Sequence, residues 1–389
     1  MRVLFLTHSF PRYRGDAAGS FILRLATALT DADVAVRIIA PSASGLAPVE
    51  RVGRVEVVRF RYAPRQLETL AYEGNMASQV RGSWSARAAL GGFLLSEFAV
   101  AVRHVRRFKP DLIHAHWWFP NALVGDLASR ITRTPMVTTC HGTDIRMARA
   151  YPASRGALRG VVRRSVAVTA VSRWLADEAH DMTGVVPVVA PMPVDTRALT
   201  PPLRGRSPAA RLLFVGRLTV QKGVDLLLRA IALLPSEVGL DVVGDGDERG
   251  RLEALAQSLG ITDRVAWHGA QPSHALATYY GAAAAVIVPS LDEGLGLVAV
   301  EALLCETPVV ALASGGLSDV VEDGVNGILV HDRHPATLAV AVTILLARPD
   351  RGAAMGRAGR EWALSRFDPA VVAQRYLDIY RDALGRTQR

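Results

Sequence analysis

The sequence predicts an α/β protein made of two doubly wound domains, and three observations predict it. Short β-branched runs alternate with amphipathic stretches along the whole chain. The alternation falls into two series of similar style. A Pro-rich stretch without apolar periodicity, Ala190–Ala210, separates the two. Strands that are apolar at every position are buried on both faces, which is the mark of parallel sheets covered by helices. Two such series give two doubly wound sheets. The length of 389 residues agrees, since it exceeds what one compact core holds.

In the first half the expected strands are Val3–Thr7, Val34–Ile39, Val55–Phe60, Leu112–Ala115, Met136–Cys140, Val166–Val171 and Val186–Val189. In a parallel sheet, ligands gather where strands end at their carboxyl side. After the first strand come His8 to Pro11, then Gly15 and Gly19 ahead of a helix Phe21–Leu29, a loop able to approach reacting groups. Leu112–Ala115 runs into His114, His116, Trp117, Trp118 and Phe119. Two alternate histidines suit a metal, but no third ligand is evident. The aromatic residues suit stacking on a sugar or a packed core equally. Met136–Cys140 ends in His141, Gly142, Thr143, Asp144. His141 is placed to donate to a sugar hydroxyl, and Thr143 and Asp144 also fit a helix cap.

In the second half the expected strands are Arg211–Val215, Leu240–Val243, Val265–His268, Ala285–Val288, Pro308–Ala311 and Gly327–Val330. The first ends in Gly216 and Arg217, followed by Lys222 and Gly223. Lys222 is one of two lysines in a chain that otherwise uses arginine. The Gly244–Asp247 turn lacks the dinucleotide spacing and reads as a tight turn. The loop Trp267–Gly269, with His268, is suited to edge a nucleobase, although Trp267 suits the core as well. Most informative is Pro289–Val310, where Glu293 lies in a Gly-rich turn and Glu301 about a turn and a half into the following helix. A helix start offers unpaired N–H groups and partial positive charge to a phosphate. Carboxylates repel phosphate and accept from hydroxyls, so the two together point to a nucleotide sugar. Gly315 and Gly316 allow a close approach of backbone, to a ligand or within a turn. A C-terminal helix is expected over Phe367–Leu384.

Composition narrows the class. Half of the residues are apolar, and no apolar run reaches the length expected of a membrane span. The N-terminus reads as a strand and not as a signal peptide. Cys140 and Cys305 lie far apart and offer neither a disulfide framework nor a metal cluster, which fits a cytoplasmic enzyme. The net charge of +9 is uneven: residues 1–195 hold 25 Lys+Arg against 15 Asp+Glu, and residues 196–389 hold 20 against 21. The first half therefore favours something anionic. Arg155, Arg159 and Arg163 share a helix face, and Gly91–Phe108 pairs an apolar face with Arg103, Arg106 and Arg107. Such faces suit solvent, or an anionic membrane surface and a lipid-linked acceptor.

These residues resemble the retaining glycosyltransferases of family 4. Glu293 and Glu301 match the family's Glu, seven residues, Glu motif, and Gly216–Arg217 with Lys222–Gly223 match its diphosphate motif. The resemblance implies the GT-B fold, with two Rossmann-like domains facing across a cleft and the C-terminal helix crossing back to the first. It implies an N-terminal, acceptor-side domain over 1–192 plus 367–389 and a nucleotide-sugar domain over 193–366. By the same resemblance Arg217 and Lys222 hold the diphosphate, aided by amides near Gly296 and Leu297. Glu293 contacts the donor sugar, Glu301 the ribose, and His141 is the active-site histidine. Gly15 and Gly19 match the first-domain glycine loop; Gly216, His268 and Gly269 fall in the expected donor-binding order. The expected activity is metal-independent transfer, without a cofactor, from a UDP- or GDP-linked sugar to a saccharide or lipid-linked acceptor in cell-surface glycan synthesis. The alternative is a sugar-nucleotide epimerase of the same fold. Nucleic acid is not an expected partner, and the expected location is cytoplasmic, with peripheral attachment at the inner membrane face.

Overall fold

The computed structural model describes residues 1–72, 76–202 and 211–387. By its contacts the chain divides into two units, Met1–Pro193 with Pro369–Arg389, and Val194–Asp368. The part of the Ala190–Ala210 stretch beyond residue 202 lies outside the described residues, as do residues 388–389 at the end of the expected first-domain segment 367–389.

The first unit is an eight-stranded sheet of β1 (Arg2–Leu6), β2 (Ala35–Pro41), β3 (Val49–Val52), β4 (Val55–Phe60), β5 (Leu112–His116), β6 (Met136–Cys140), β7 (Ala167–Ala170) and β8 (Val188–Val189). Their order is β3-β4-β2-β1-β5-β6-β7-β8. All neighbours pair parallel except β3 with β4. The parallel strands are buried as their apolar runs require: Val3 to Leu6 and Leu112 to His116 have essentially no exposure. Strand β3 was not expected. It runs Val49, Glu50, Arg51, Val52 at the sheet edge, with no apolar run, and turns into β4 at Gly53, where φ is 60°. Val186 is 74% exposed and stands outside β8, so the last expected strand is shorter than its apolar run. The C-terminal helix Pro369–Thr387 is part of this unit, packing on the helix Ser20–Asp31.

The helix Trp84–Phe108 corrects one expectation. It is long and apolar enough, by length and composition, to cross a membrane. In the fold it lays Phe93, Ala101 and Val105 into the core while Trp84 and Leu95 stand 81% and 73% exposed.

The second unit holds β9 (Arg211–Val215), β10 (Gly239–Val243), β11 (Val265–Gly269), β12 (Ala285–Val288), β13 (Val309–Leu312) and β14 (Gly327–Val330) in the order β11-β10-β9-β12-β13-β14. All the pairs are parallel. Order reverses between β9 and β12, and a doubly wound sheet opens its ligand crevice at that switch point.

Candidate functional site

The second unit gathers its charged groups at the carboxyl ends of β9 and β12. The loop after β9 carries Arg217, which is exposed, and Lys222. The turn after β12 carries Glu293, and Lys222 Nζ lies 2.5 Å from Glu293 Oε2. Gln221 Nε2 donates to the carbonyls of Leu291 and Asp292, and the Leu291 amide donates back to Gln221 O, so backbone and side chain tie the two loops together. The tie needs Gly223: its φ is 66°, and a Cβ there would stand 2.2 Å from Pro289 O.

Glu293 leads into the helix Leu297–Leu304. Gly296 occupies its N-cap in the left-handed conformation, and no side chain caps the helix. The N-cap residue supplies no side chain to compete for the Leu297 and Val298 amides, which a helix start presents to an anion, while the Ala299 amide donates to Gly296 O. Glu301, further along this helix, accepts a 2.7 Å hydrogen bond from the phenol of Tyr280, which is fully buried. That partner was not read from the sequence. It orients the carboxylate of Glu301 from below.

Glycines in this unit serve close packing of one loop on another. A Cβ on Gly244 would meet Gly216 O at 1.9 Å, and one on Gly315 would meet Glu293 O at 2.4 Å. The Gly316 amide donates to Glu293 O at 2.7 Å, and Asp292 N donates to Ser314 Oγ. The pair Gly315–Gly316 thus braces the Glu293 turn. His268 is drawn elsewhere: its Nε2 is 2.7 Å from Asp241 Oδ1, and Arg211 grips the same carboxylate at 2.7 and 2.8 Å. The His268 ring is committed to Asp241, and Gly269, with φ of 65°, ends the strand beside it. Trp267 packs against the core. Asp245 accepts from the Gly246 amide, and Arg249 is its ionic partner at 3.6 Å, so this acidic turn is a structural one.

The first unit gathers rings at the ends of β1, β5 and β6, which are adjacent in the sheet. Trp117 lies 4.3 Å, centroid to centroid, from both His8 and His141, and Phe21 lies 5.3 Å from His141. Trp118 is buried, its indole N–H donating to Asp144 O. Both tryptophans are buried, and Trp117, its indole N–H donating to Thr143 Oγ1, lies against the half-buried His8 and His141.

Asp144 holds the arrangement. Its carboxylate accepts from the backbone amides of Trp118, His141, Gly142 and Ile145, each at 3.0 or 3.1 Å. The helix Thr143–Ala150 takes Gly142 as its N-cap, without the side-chain cap expected from Thr143 or Asp144: Asp144, in the first turn, fixes the backbone of His141 and Gly142, and Thr143 Oγ1 accepts from the Trp117 indole N–H. Burial holds the His141 ring well below the ordinary imidazole range, so it is neutral at pH 7. His114 and His116 are fully buried. His114 is paired with the Tyr380 hydroxyl at 2.7 Å and Thr139 Oγ1 at 2.6 Å. Among the described residues no cluster of three or more His, Cys, Asp or Glu is placed to hold a metal.

The glycine loop before Ser20–Asp31 is fixed from below by Arg59, a guanidinium with no exposure that was not read from the sequence. It donates to the carbonyls of Phe10 and Pro11 and to Glu50. Gly19 packs on that loop: a Cβ would meet Ser9 O at 2.2 Å. Gly15, with φ of 92°, has nothing within 4 Å of where a Cβ would lie.

Two family models match the chain. One, described as Glycosyltransferase Family 4, matches residues 18–198, and the other, Glycosyl transferases group 1, matches residues 202–362. A D-inositol 3-phosphate glycosyltransferase of Xylanimonas cellulosilytica is 34% identical, over 96% of this chain and 93% of the relative. A GDP-mannose-dependent alpha-(1-6)-phosphatidylinositol monomannoside mannosyltransferase of Mycolicibacterium smegmatis is 33% identical, over 70% of this chain and 78% of its own. Among solved structures, sucrose-phosphate synthase of Thermosynechococcus elongatus matches with a TM-score of 0.80 at 23% identity over 99% of both chains, a likeness of fold.

Proposed function

The chain belongs to glycosyltransferase family 4, and from that membership we propose that it moves a sugar, with retention at the anomeric carbon, from a UDP- or GDP-linked donor to a hydroxyl of a saccharide or lipid-linked acceptor. One observation carries the reading. Lys222 on the β9 loop and Glu293 on the β12 turn meet at 2.5 Å beside a helix whose N-terminus no side chain caps. In this reading Lys222 and Arg217 hold the diphosphate, helped by the amides from Gly296 and Leu297. Glu293 accepts from hydroxyls of the donor sugar, and Glu301, oriented by Tyr280, accepts from those of the ribose. Gly216 and Gly269 border the nucleotide, and the ring of His268 supports the nucleotide loop through Asp241. His141 donates to a hydroxyl in the first unit, where Gly15 and Gly19 shape the neighbouring loop.

The step breaks the bond from the anomeric carbon to the diphosphate and forms one to the acceptor oxygen on the same face. The acceptor proton passes to the departing phosphate. The main demand on the protein is then to stabilise the leaving diphosphate, which fixed positive charge does without a divalent ion. The test is to incubate the protein with a panel of nucleotide sugars and a phosphorylated polyol or saccharide acceptor, with and without a chelator. The expected product has the anomeric configuration of the donor, and chelation leaves the rate unchanged. Inversion, epimerised donor without acceptor, or a chelator block relieved by Mg²⁺ would each contradict the reading.

The acceptor side is supported by charge. The first half carries the excess of arginine, and the helix Trp84–Phe108 exposes apolar residues beside Arg87, whose guanidinium stacks on Trp84 at 4.5 Å. These features fit an anionic membrane face and a lipid-linked acceptor in cell-surface glycan synthesis, on the cytoplasmic side. The expected outcome is co-sedimentation with vesicles containing anionic lipid and release at high salt. Equal failure to bind anionic and neutral vesicles counts against it.

A further inference from the structure

We infer that His116 is a positioning residue that fixes which nitrogen of His141 carries the proton, so that His141 presents Nδ1–H to a ligand hydroxyl. The inference deepens the reading of His141 given above and rests on it.

His116 Nδ1 lies 3.1 Å from His141 Nε2. One of the two nitrogens donates and the other accepts, because both rings are neutral: burial holds each well below the ordinary imidazole range. The other nitrogen of His116, Nε2, is buried without a hydrogen-bond partner among the described residues. That decides the direction. If His141 donated, the proton of His116 would sit on Nε2, and a buried N–H would go unmatched. If His116 donates from Nδ1, Nε2 keeps only a lone pair. Orphaned buried N–H groups are the rarer and costlier of the two. His116 is therefore the donor, and His141 accepts at Nε2. The proton of His141 is then on Nδ1, on a ring that is half-buried and stacked on Trp117.

The ring of His116 has little freedom to choose otherwise. It packs at a tilt against His114 with centroids 4.1 Å apart and edge-on against Phe5 at 4.8 Å. Its carbonyl accepts from Asn121 Nδ2 at 2.6 Å, and a carbonyl can only accept, so the Asn121 amide orientation is set. The neutral histidine side chain in water favours the proton on Nε2. The fold thus imposes the less common tautomer on His141, and His116 is the group that does it.

Selective ¹⁵N labelling of histidine tests this directly, since the ring-nitrogen shifts separate the two neutral tautomers. In the wild type His141 is expected as Nδ1–H. His116→Leu removes the donor, so the His141 signal moves toward Nε2–H, and kcat for transfer falls about tenfold with donor KM unchanged. His116→Asn places an amide N–H near the position of Nδ1, which keeps the tautomer and restores most of kcat. Wild-type His141 found as Nε2–H, or a His141 tautomer unmoved in His116→Leu, overturns the inference. A tautomer that moves while kcat stays constant upholds the role of His116 and removes His141 from the reaction, so the two claims fail separately.

Discussion

Replacing Lys222 with alanine is expected to lower turnover by about 10²–10³-fold, the loss that follows removal of one preorganised group facing developing negative charge. The ion pair carries the effect into binding as well. Lys222 Nζ faces Glu293 at 2.5 Å, and both side chains are largely shielded from solvent. Without the lysine, the Glu293 carboxylate keeps its place and loses this counter-charge, and it then repels a diphosphate. Donor KM should therefore rise while kcat falls. Adding Glu293→Gln to Lys222→Ala removes the repulsion. Donor affinity should recover in the double variant and turnover should not, because nothing restores positive charge to the leaving group. Steady-state kinetics of the two variants, with circular dichroism to confirm folding, make the comparison. A single variant that turns over at near the normal rate refutes the assignment of Lys222 to the leaving group.

The parts of this molecule that were legible in its sequence are those written contiguously. Strands β1, β5 and β12 read plainly because burial on both faces leaves no polar position to interrupt an apolar run. The turn at Glu293 and the helix bearing Glu301 read plainly because one glycine-rich segment holds both. Where burial is one-sided, or a partner is distant, the signal fades. Strand β3 sets Glu50 and Arg51 side by side between two valines at an edge, so it contains no continuous apolar run. Tyr280 reaches Glu301 across 21 residues, Asn121 reaches His8 across 113, and Tyr380 reaches His114 across 266. Periodicity encodes no such pairing, because it arises only when the sheet brings distant strand ends together. His268 shows the same limit. Its place after β11 is visible in the sequence, but the pull of Asp241 on its ring appears only when β10 and β11 lie side by side.

Stability of the first unit should fall as pH rises from about 5 to 8, and Glu97 is the reason. Glu97 lies on the inner face of the helix Trp84–Phe108, one turn from Phe93 and one from Ala101, and none of the three has any exposure. Neither carboxyl oxygen has a hydrogen-bond partner among the described residues. Burial alone pushes its pKa up to about 8 from an ordinary 4.5. The fold accepts the neutral acid and disfavours the carboxylate, whereas the unfolded chain ionises freely above pH 4.5. This group therefore favours the folded state fully below about pH 4.5, and the advantage is lost progressively until the pH passes about 8. At pH 7 the loss amounts to about 3 kcal/mol. Glu97→Leu fills a similar volume with no group to ionise, so it should raise the stability of this unit by an amount of that order at pH 8 and by little at pH 4.5. Glu97→Gln should flatten the pH dependence in the same window while gaining less, because a buried amide without partners is itself costly. Urea unfolding of the three proteins at pH 5 and pH 8 reads both effects, provided the transition of the first unit is followed separately from that of the second. A wild type equally stable at both pH values, with Glu97→Leu no more stable at pH 8, would show that water or a neighbouring donor reaches the carboxylate and that the helix carries no ionisation penalty on its buried face.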